Sequence, residues 1–112
     1  MVKYAELELD EVFGALSSSP RRQVLNMLRS RPMTMSELAM PLKLSLPAIH
    51  KHIQILQRAK LVEQCKNGRS NTITFQPLAL QSAEQWIELH KKFWTEQLDS
   101  LEQYLGNQKK GK

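Results

Sequence analysis

Two short helical patterns, joined by a brief turn and followed at once by a strand pattern, constrain this chain's fold more than any other feature. The first begins at the capping box TMSE, where the Thr34 hydroxyl can accept from the Glu37 amide while the Glu37 carboxylate reaches back. The second begins at the N-cap residue Ser45, with Pro47 in its first turn and apolar residues at helical spacing to about Ala59. The two helices are joined by the short turn LKLS.

The strand pattern is LVEQCKNGRSNTITF, residues 61–75. β-branched and aromatic residues flank Asn67-Gly68, the strongest short-range signal for a tight hairpin turn. Lys66 and Arg69 are therefore expected at the tip. Pro41, late in the preceding short helix, removes one backbone hydrogen bond and predicts a kink or an early end there.

Three further helices are predicted, over about 7–16, 20–29 and 80–105. The sequence thus predicts one mostly α domain over residues 1–105, with about five helices and one small β-hairpin. The closing GNQKKGK, residues 106–112, is predicted to be a disordered basic tail.

The formal net charge of +5 is concentrated in one segment. Residues 51–75 hold five cations, Lys51, Arg58, Lys60, Lys66 and Arg69, against Glu63 alone. A basic segment in a small domain favours a polyanionic partner, because phosphate neutralisation releases counterions. The alternative is a solvated basic surface with no partner.

Several function classes find no support in the sequence. No catalytic triad order or phosphate-cradling glycine loop is present, so we predict a protein that is not an enzyme and has no cofactor. No apolar run approaches the roughly 18 residues of a membrane span, and MVKYAELELDEVF lacks a signal-peptide core, which favours the cytosol and no membrane partner. Cys65 is the only cysteine, which excludes an internal disulfide and a Cys-rich zinc site.

The order helix, short turn, helix, basic hairpin is typical of a winged helix-turn-helix. In that fold the second helix, the recognition helix, enters the DNA major groove, and the hairpin, or wing, lies along the neighbouring backbone or minor groove. A winged-helix module that binds protein is the alternative, and a neutral recognition surface would favour it. The basic segment favours double-stranded DNA.

Three segments resemble the ArsR-type bacterial transcription regulators over about residues 9–105: ALSSSPRRQVLNML, MTMSELAMPLKLSLPAIHKHIQILQRAKLV and WIELHKKFWTEQLDSLEQYL. The resemblance is to the branch with SLPAVSKHLKVL as recognition helix and a last helix of the form W-x6-F-W-x3-L-x2-L. It implies a homodimeric winged-helix protein, most often a repressor of a palindromic operator. The Cys-x-Cys pair of metal-sensing members is missing from SELAMPL, which favours metal-independent binding, and no effector is indicated.

The resemblance assigns DNA binding to about residues 34–75. The predicted DNA-binding residues are Ser45, Leu46, Pro47, Ala48, His50, Lys51, Lys66 and Arg69. His50 stands where this branch usually has serine. Lys60 stands where it has glycine, at a cost of roughly 1 kcal/mol if the left-handed helix end is kept.

Dimerisation is expected from about residues 5–16 and 79–105, because the last helix offers more apolar surface than so small a domain can bury. The predicted interface residues are Leu9, Val12, Phe13, Trp86, Ile87, His90, Phe93, Trp94, Leu98, Leu101 and Leu105. A small-molecule pocket between Trp86 and Trp94 is the alternative. Dimerisation would place two recognition helices about 34 Å apart, one DNA turn.

The histidines do not form an obvious metal site. His50 and His52 lie roughly 200° apart around a helix and cannot chelate one ion, and His52 is expected to be a structural, partly buried imidazole. His90, near Glu84 and Glu88, is expected in the core or interface, with metal sensing as the alternative.

Two further positions stay open at this stage. Arg21 and Arg22 match a paired arginine of the family and serve either the DNA backbone or a structural ion pair. Cys65 is either a thiol sensor or a small apolar strand residue.

Overall fold

The computed structural model describes residues 2–110, with side chains described for residues 6–107. The elements are, in chain order, α1 (Val2–Leu16), α2 (Ser19–Leu28), β1 (Met33–Thr34), α3 (Met35–Leu42), α4 (Leu46–Arg58), β2 (Val62–Asn67), β3 (Ser70–Phe75), a 3-10 turn (Pro77–Leu80) and α5 (Gln81–Lys110). The chain up to Ser82 forms one compact unit and the chain from Ala83 onward another. The mostly α winged helix-turn-helix with about five helices is therefore confirmed.

The starts of α3 and α4 are the ones that the sequence predicts. Thr34 Oγ1 accepts from the Glu37 amide at 3.2 Å, and Glu37 Oε1 accepts from the Thr34 amide at 3.0 Å, completing the capping box. Ser45 Oγ accepts from the Ala48 amide at 3.2 Å. α3 ends one residue after Pro41, which is the early end predicted there.

A lysine with left-handed backbone follows each of these helices, Lys43 at φ 56° after α3 and Lys60 at φ 62° after α4. The amide after each lysine bonds back five residues, Leu44 to the Ala39 carbonyl at 3.1 Å and Leu61 to the Leu56 carbonyl at 3.0 Å. These are Schellman ends, which usually hold glycine because a Cβ is strained at positive φ. The left-handed helix end at Lys60 is thus kept although the residue is not glycine, and Lys43 has the same geometry.

The core of the first unit is built from the apolar sides of the helices and the sheet. Ile49, Ile53 and Leu56 of α4 are fully buried, as are Leu38 of α3 and Ile73 of β3. α4 therefore has one side fixed in the core and the opposite side free for another role.

Val12 corrects one sequence prediction. It was expected at a dimer interface, but it is only 2% exposed and belongs to the core. The physical reason is that α1 packs against both α2 and α4, which takes the Val12 side of the helix.

The predicted hairpin is present, with two differences. β1 adds a third strand through the antiparallel pairs Met33 with Ile73 and Thr34 with Thr72, giving the order β1-β3-β2. The turn lies one residue further on than expected, because Asn67 still pairs with Ser70 and Gly68, at φ +66°, opens the loop. Arg69 is therefore in the turn itself, while Lys66 belongs to β2.

α5 continues to Lys110, so residues 106–110 of the expected disordered tail are helical, and residues 111–112 lie outside the described part of the chain. Gly106 does not stop the helix, because one glycine in a helix interior costs only about 1 kcal/mol relative to alanine. Among the described residues, no helix is long and apolar enough to cross a membrane.

Lys60 provides a test of the left-handed helix end. Lys60→Gly and Lys60→Ala both remove the cation, but only glycine takes positive φ without a Cβ penalty. We expect the glycine variant to exceed the alanine variant by about 1 kcal/mol in free energy of unfolding, measured by urea denaturation at one protein concentration. Equal values would mean that the end of α4 relaxes away from this geometry.

Candidate nucleic-acid interface

The first turn of α4 is exposed on the side away from the core. Ser45, Leu46 and Pro47 are exposed and Ala48 is half-buried. Pro47 has no amide and the Ala48 amide already bonds Ser45 Oγ, so an anion here would be held by the Leu46 amide and by the Ser45 hydroxyl, whose proton can donate while Oγ accepts. Helix N-termini concentrate such donors and the positive end of the helix dipole, so this end suits an anion.

His50 and His52 have different environments, as their spacing predicts. His50 and Lys51 are exposed, whereas His52 is half-buried and its Nδ1 accepts from Arg21 Nη1 at 3.2 Å. The pKa of His52 is lowered, first because burial disfavours the imidazolium and then because the Arg21 cation is close. This environment matches the expected structural role of His52 and leaves His50 and Lys51 on the open side of α4.

The paired arginines donate hydrogen bonds to other groups of the fold. Arg21 Nε donates to the Ala15 carbonyl at 2.7 Å and Arg21 Nη2 to the Gly14 carbonyl at 3.0 Å. Arg22 Nη1 donates to the Leu16 carbonyl at 2.6 Å. Both side chains thus satisfy carbonyls at the end of α1, where a helix has no partners of its own. Among the described residues, neither arginine forms an ion pair, and their structural contacts are hydrogen bonds to carbonyls and, for Arg21, to His52.

The two faces of the wing differ. Side chains alternate along a strand, so Gln64 and Lys66 of β2 lie on the same face as buried Val62. Asn71 pairs with Lys66 and therefore lies on this face too, together with buried Ile73. On this inner face Asn71 Nδ2 donates to Gln64 Oε1 at 2.9 Å, and Gln64 Nε2 donates to Gln57 Oε1 of α4 at 2.8 Å. No sequence pattern predicts this chain of amides, because its members are far apart along the chain and each is an ordinary polar residue.

Cys65 lies on the outer face of the wing and is exposed, so it is not a buried apolar residue of the strand. Among the described residues, no three His, Cys, Asp or Glu side chains are grouped to hold a metal ion.

A second contact missed in the sequence lies at the start of α3. Arg31 Nη2 is 2.8 Å from Glu37 Oε2, and the Arg31 hydrogen bond, then the Thr34 amide, lower the pKa of the Glu37 carboxyl. The capping box was the available signal, since it fixes the Glu37 carboxylate at the position that Arg31 reaches. Arg31 thus contacts the same carboxylate that completes the capping box.

α5, taken by itself, is exposed along its predicted interface side. Trp94 is 63% exposed and Leu101 53%, and Ile87, Phe93, Leu98 and Leu105 are exposed as well. His90, also exposed, stacks on Trp86 with ring centroids 3.9 Å apart, and its Nδ1 lies 2.9 Å from the Trp86 carbonyl oxygen. So continuous an apolar surface on one helix is unusual in a soluble monomer.

A helix-turn-helix and a wing that together hold nearly all of the net positive charge define a class, the winged helix-turn-helix DNA-binding proteins. A family model described as "Helix-turn-helix domain" matches residues 16–65. The transcriptional repressor SdpR of Bacillus subtilis is 28% identical over 79 residues, which cover 70% of this chain and 88% of SdpR.

Solved structures agree with this class. The crystal structure of the ArsR family transcriptional regulator RHA00566 is 32% identical, covers 80% of this chain and 93% of its own, and superposes with a TM-score of 0.74. The homodimeric winged helix-turn-helix DNA-binding domain Mb0332 of Mycobacterium bovis, at 21% identity, covers 81% of this chain and 87% of its own with a TM-score of 0.63, which shows the shared fold.

The chain belongs to the ArsR family of transcriptional regulators. It is a DNA-binding regulator with a winged helix-turn-helix and not an enzyme, as the sequence predicts.

His52 makes the stability of the fold depend on pH. Because its folded-state pKa lies below the usual 6.5, its contribution is present above pH 6.5 and is lost as pH falls through the lowered pKa. We expect the free energy of unfolding to fall more between pH 7.5 and 5 in the wild type than in His52→Asn, whose Oδ1 can still accept from Arg21. Chemical denaturation at each pH measures this.

His50→Asn is the matched control, because His50 is exposed two residues away. It should keep the wild-type pH dependence. The same pH dependence in the wild type and His52→Asn would remove His52 as the cause.

Proposed function

We propose that this regulator is a homodimeric repressor that binds a palindromic operator without a metal. The observation that carries the proposal is the exposed positive charge of α4 and the wing. Five exposed cations form no ion pair among the described residues: Lys51, Arg58, Lys60, Lys66 and Arg69. Cations left without acidic partners are available to neutralise phosphates.

The first turns of α4 are the proposed reading surface. The helix end at Ser45 and Leu46 would hold a phosphate, and Pro47 and the half-buried Ala48 would make apolar contact with a thymine methyl. Lys51 would reach guanine O6 and N7. His50 would contact a base edge, and because relatives usually have serine there, it is the position at which target sequence should differ most.

The wing is proposed to contact the DNA backbone or minor groove through Lys66 and Arg69. Arg69 lies in the turn, and Lys66 lies on the inner face, the same face that contacts α4. Contacts of this type position a protein on DNA and carry little sequence information.

Dimerisation is proposed through residues of α5, with a contribution from α1. The apolar side of α5 needs a cover, and a second copy supplies an identical apolar surface. The proposed interface residues are Leu9, Phe13, Trp86, Ile87, His90, Phe93, Trp94, Leu98, Leu101 and Leu105. Mb0332 is named as homodimeric, which supports the same assembly here. A two-fold dimer favours a palindromic operator.

Repression and metal independence complete the proposal. SdpR, a relative over most of its length, is named as a transcriptional repressor, which supports repression here. α3 contains no cysteine, so it lacks the Cys-x-Cys pair that metal-sensing members of the family carry there. A chelator should therefore leave operator affinity unchanged.

One lysine variant and one arginine variant test the proposed DNA contacts. The operator is first selected from a random DNA pool with the wild-type protein. Lys51→Ala should weaken operator binding by about 1 to 3 kcal/mol and affect random DNA less, because it loses a base contact. Arg69→Ala should weaken both equally and lower the salt slope by about 1, because it loses a phosphate contact. Fluorescence anisotropy over a salt series measures both.

Lys92→Ala, on the exposed surface of α5, is the matched control that also removes one positive charge. It should change neither the operator affinity nor the salt slope. Failure to select any sequence, or affinity that does not depend on salt, would contradict the proposed function. Equal losses on operator and random DNA would reduce Lys51 to a phosphate contact.

Dimerisation has its own test in α5. Leu101→Glu places a charge in the apolar face and should convert the dimer to a monomer at micromolar concentration, because burying an unpaired carboxylate is costly. Analytical ultracentrifugation measures the mass. Gln103→Glu adds the same charge on the opposite side of the helix and should stay dimeric; a dimer in both variants would place the interface elsewhere.

A further inference from the structure

One connection between the wing and the recognition helix is made by side chains alone. The amides of Asn71 (β3), Gln64 (β2) and Gln57 (α4) form a continuous chain of two hydrogen bonds, 2.9 Å and 2.8 Å long. We call these three side chains the amide relay. It crosses the wing and ends on α4 one turn beyond Ile53, which is fixed in the core.

The relay lies where the wing loses its other support. β1 pairs only with Thr72 and Ile73 of β3, so the part of the wing beyond Thr72 has two strands and no third. Two-stranded hairpins are marginally stable by themselves and twist more strongly than larger sheets. Cys65, which pairs with Thr72, is the last residue of β2 opposite a position that β1 supports, so Gln64 lies one residue before this boundary and Asn71 just beyond it. A contact here limits how the outer wing can turn relative to α4.

The outer wing holds the cations. Lys66 is directly opposite Asn71 on the inner face, and Arg69 lies in the turn beyond it. A change in wing angle at Gln64 would therefore move both cations relative to α4, while leaving the buried core untouched.

Asn71 depends strongly on the relay. Its Oδ1 is buried and has no hydrogen-bond partner among the described residues, so the bond from Nδ2 to Gln64 is what holds this amide. Losing it would leave both polar ends of a half-buried side chain unsatisfied, which favours the closed relay.

We propose that Gln64 is a positioning residue for DNA binding: through the relay it fixes the wing against the recognition helix, so that Lys66 and Arg69 meet the DNA while α4 occupies the major groove. The inference rests on the proposed function, because it requires that the wing contacts DNA. Under this inference, Gln64 and Gln57 both affect operator affinity without contacting DNA themselves.

A double-mutant cycle tests the positioning role on the selected operator. Gln64→Met keeps the length of the side chain but removes its hydrogen bonds, and should weaken operator binding about three- to tenfold. In a protein whose wing lacks its cations, Lys66→Ala with Arg69→Ala, the same change should have no further effect. Gln57→Met should behave like Gln64→Met, and the two together should lose no more than either alone.

Gln23→Met is the matched control, because Gln23 also makes one exposed side-chain hydrogen bond, to Ser19 Oγ on α2 at 3.2 Å, away from α4 and the wing. It should keep operator affinity. Thermal unfolding is measured for the three methionine variants, and affinity is compared well below the lowest midpoint, which separates positioning from loss of folded protein.

The possible outcomes separate the positioning role of Gln64 from the proposed DNA binding on which it rests. An unchanged affinity in Gln64→Met, or an equal loss with and without the wing cations, would overturn the positioning role and leave the DNA contacts standing. If removal of both wing cations itself costs no affinity, the proposed wing contact is wrong, and the positioning role is wrong with it.

Discussion

The Arg21 guanidinium is the interaction on which the arrangement of the first unit depends. It closes the end of α1 through the carbonyls of Gly14 and Ala15, and it holds His52 of α4 from the side. Three helices are thereby connected by one side chain that starts on α2. Because a guanidinium donates in a fixed planar fork, it sets direction as well as distance. Lysine at this position would supply charge without that geometry.

The consequence for α4 is a division into two sides with different tasks. His52 joins Ile49 and Ile53 on the side that faces the fold, so His50 and Lys51 remain on the side that faces outward. The rotation of α4 about its own axis is therefore set by the core and by Arg21. A DNA-reading surface gains from this, because side chains that must match base edges lose affinity when their helix can rotate.

Local signals made much of the fold predictable from the sequence. The capping box at Thr34, the cap at Ser45 and the glycine of the hairpin each act within a few residues, and each is present. Long-range contacts were not predictable in the same way. The pairing of β1 with β3 and the amide relay join residues with no special local pattern, and Val12 is buried because of how α1 packs. For the candidate site, spacing separated His50 from His52, but only the folded chain showed that Arg21 is the partner of His52.

The two-residue strand β1 has a consequence for how the protein folds. Its pairing of Met33 with Ile73 closes a loop of about 40 residues, which is entropically expensive in an extended chain. α3, α4 and the β2-β3 hairpin lie inside that loop, and each can form from contacts near in sequence. Once they have formed, little chain remains to be ordered, and the pairing becomes inexpensive. We therefore expect the closing of this small sheet to come late in folding, after both helices of the helix-turn-helix have formed.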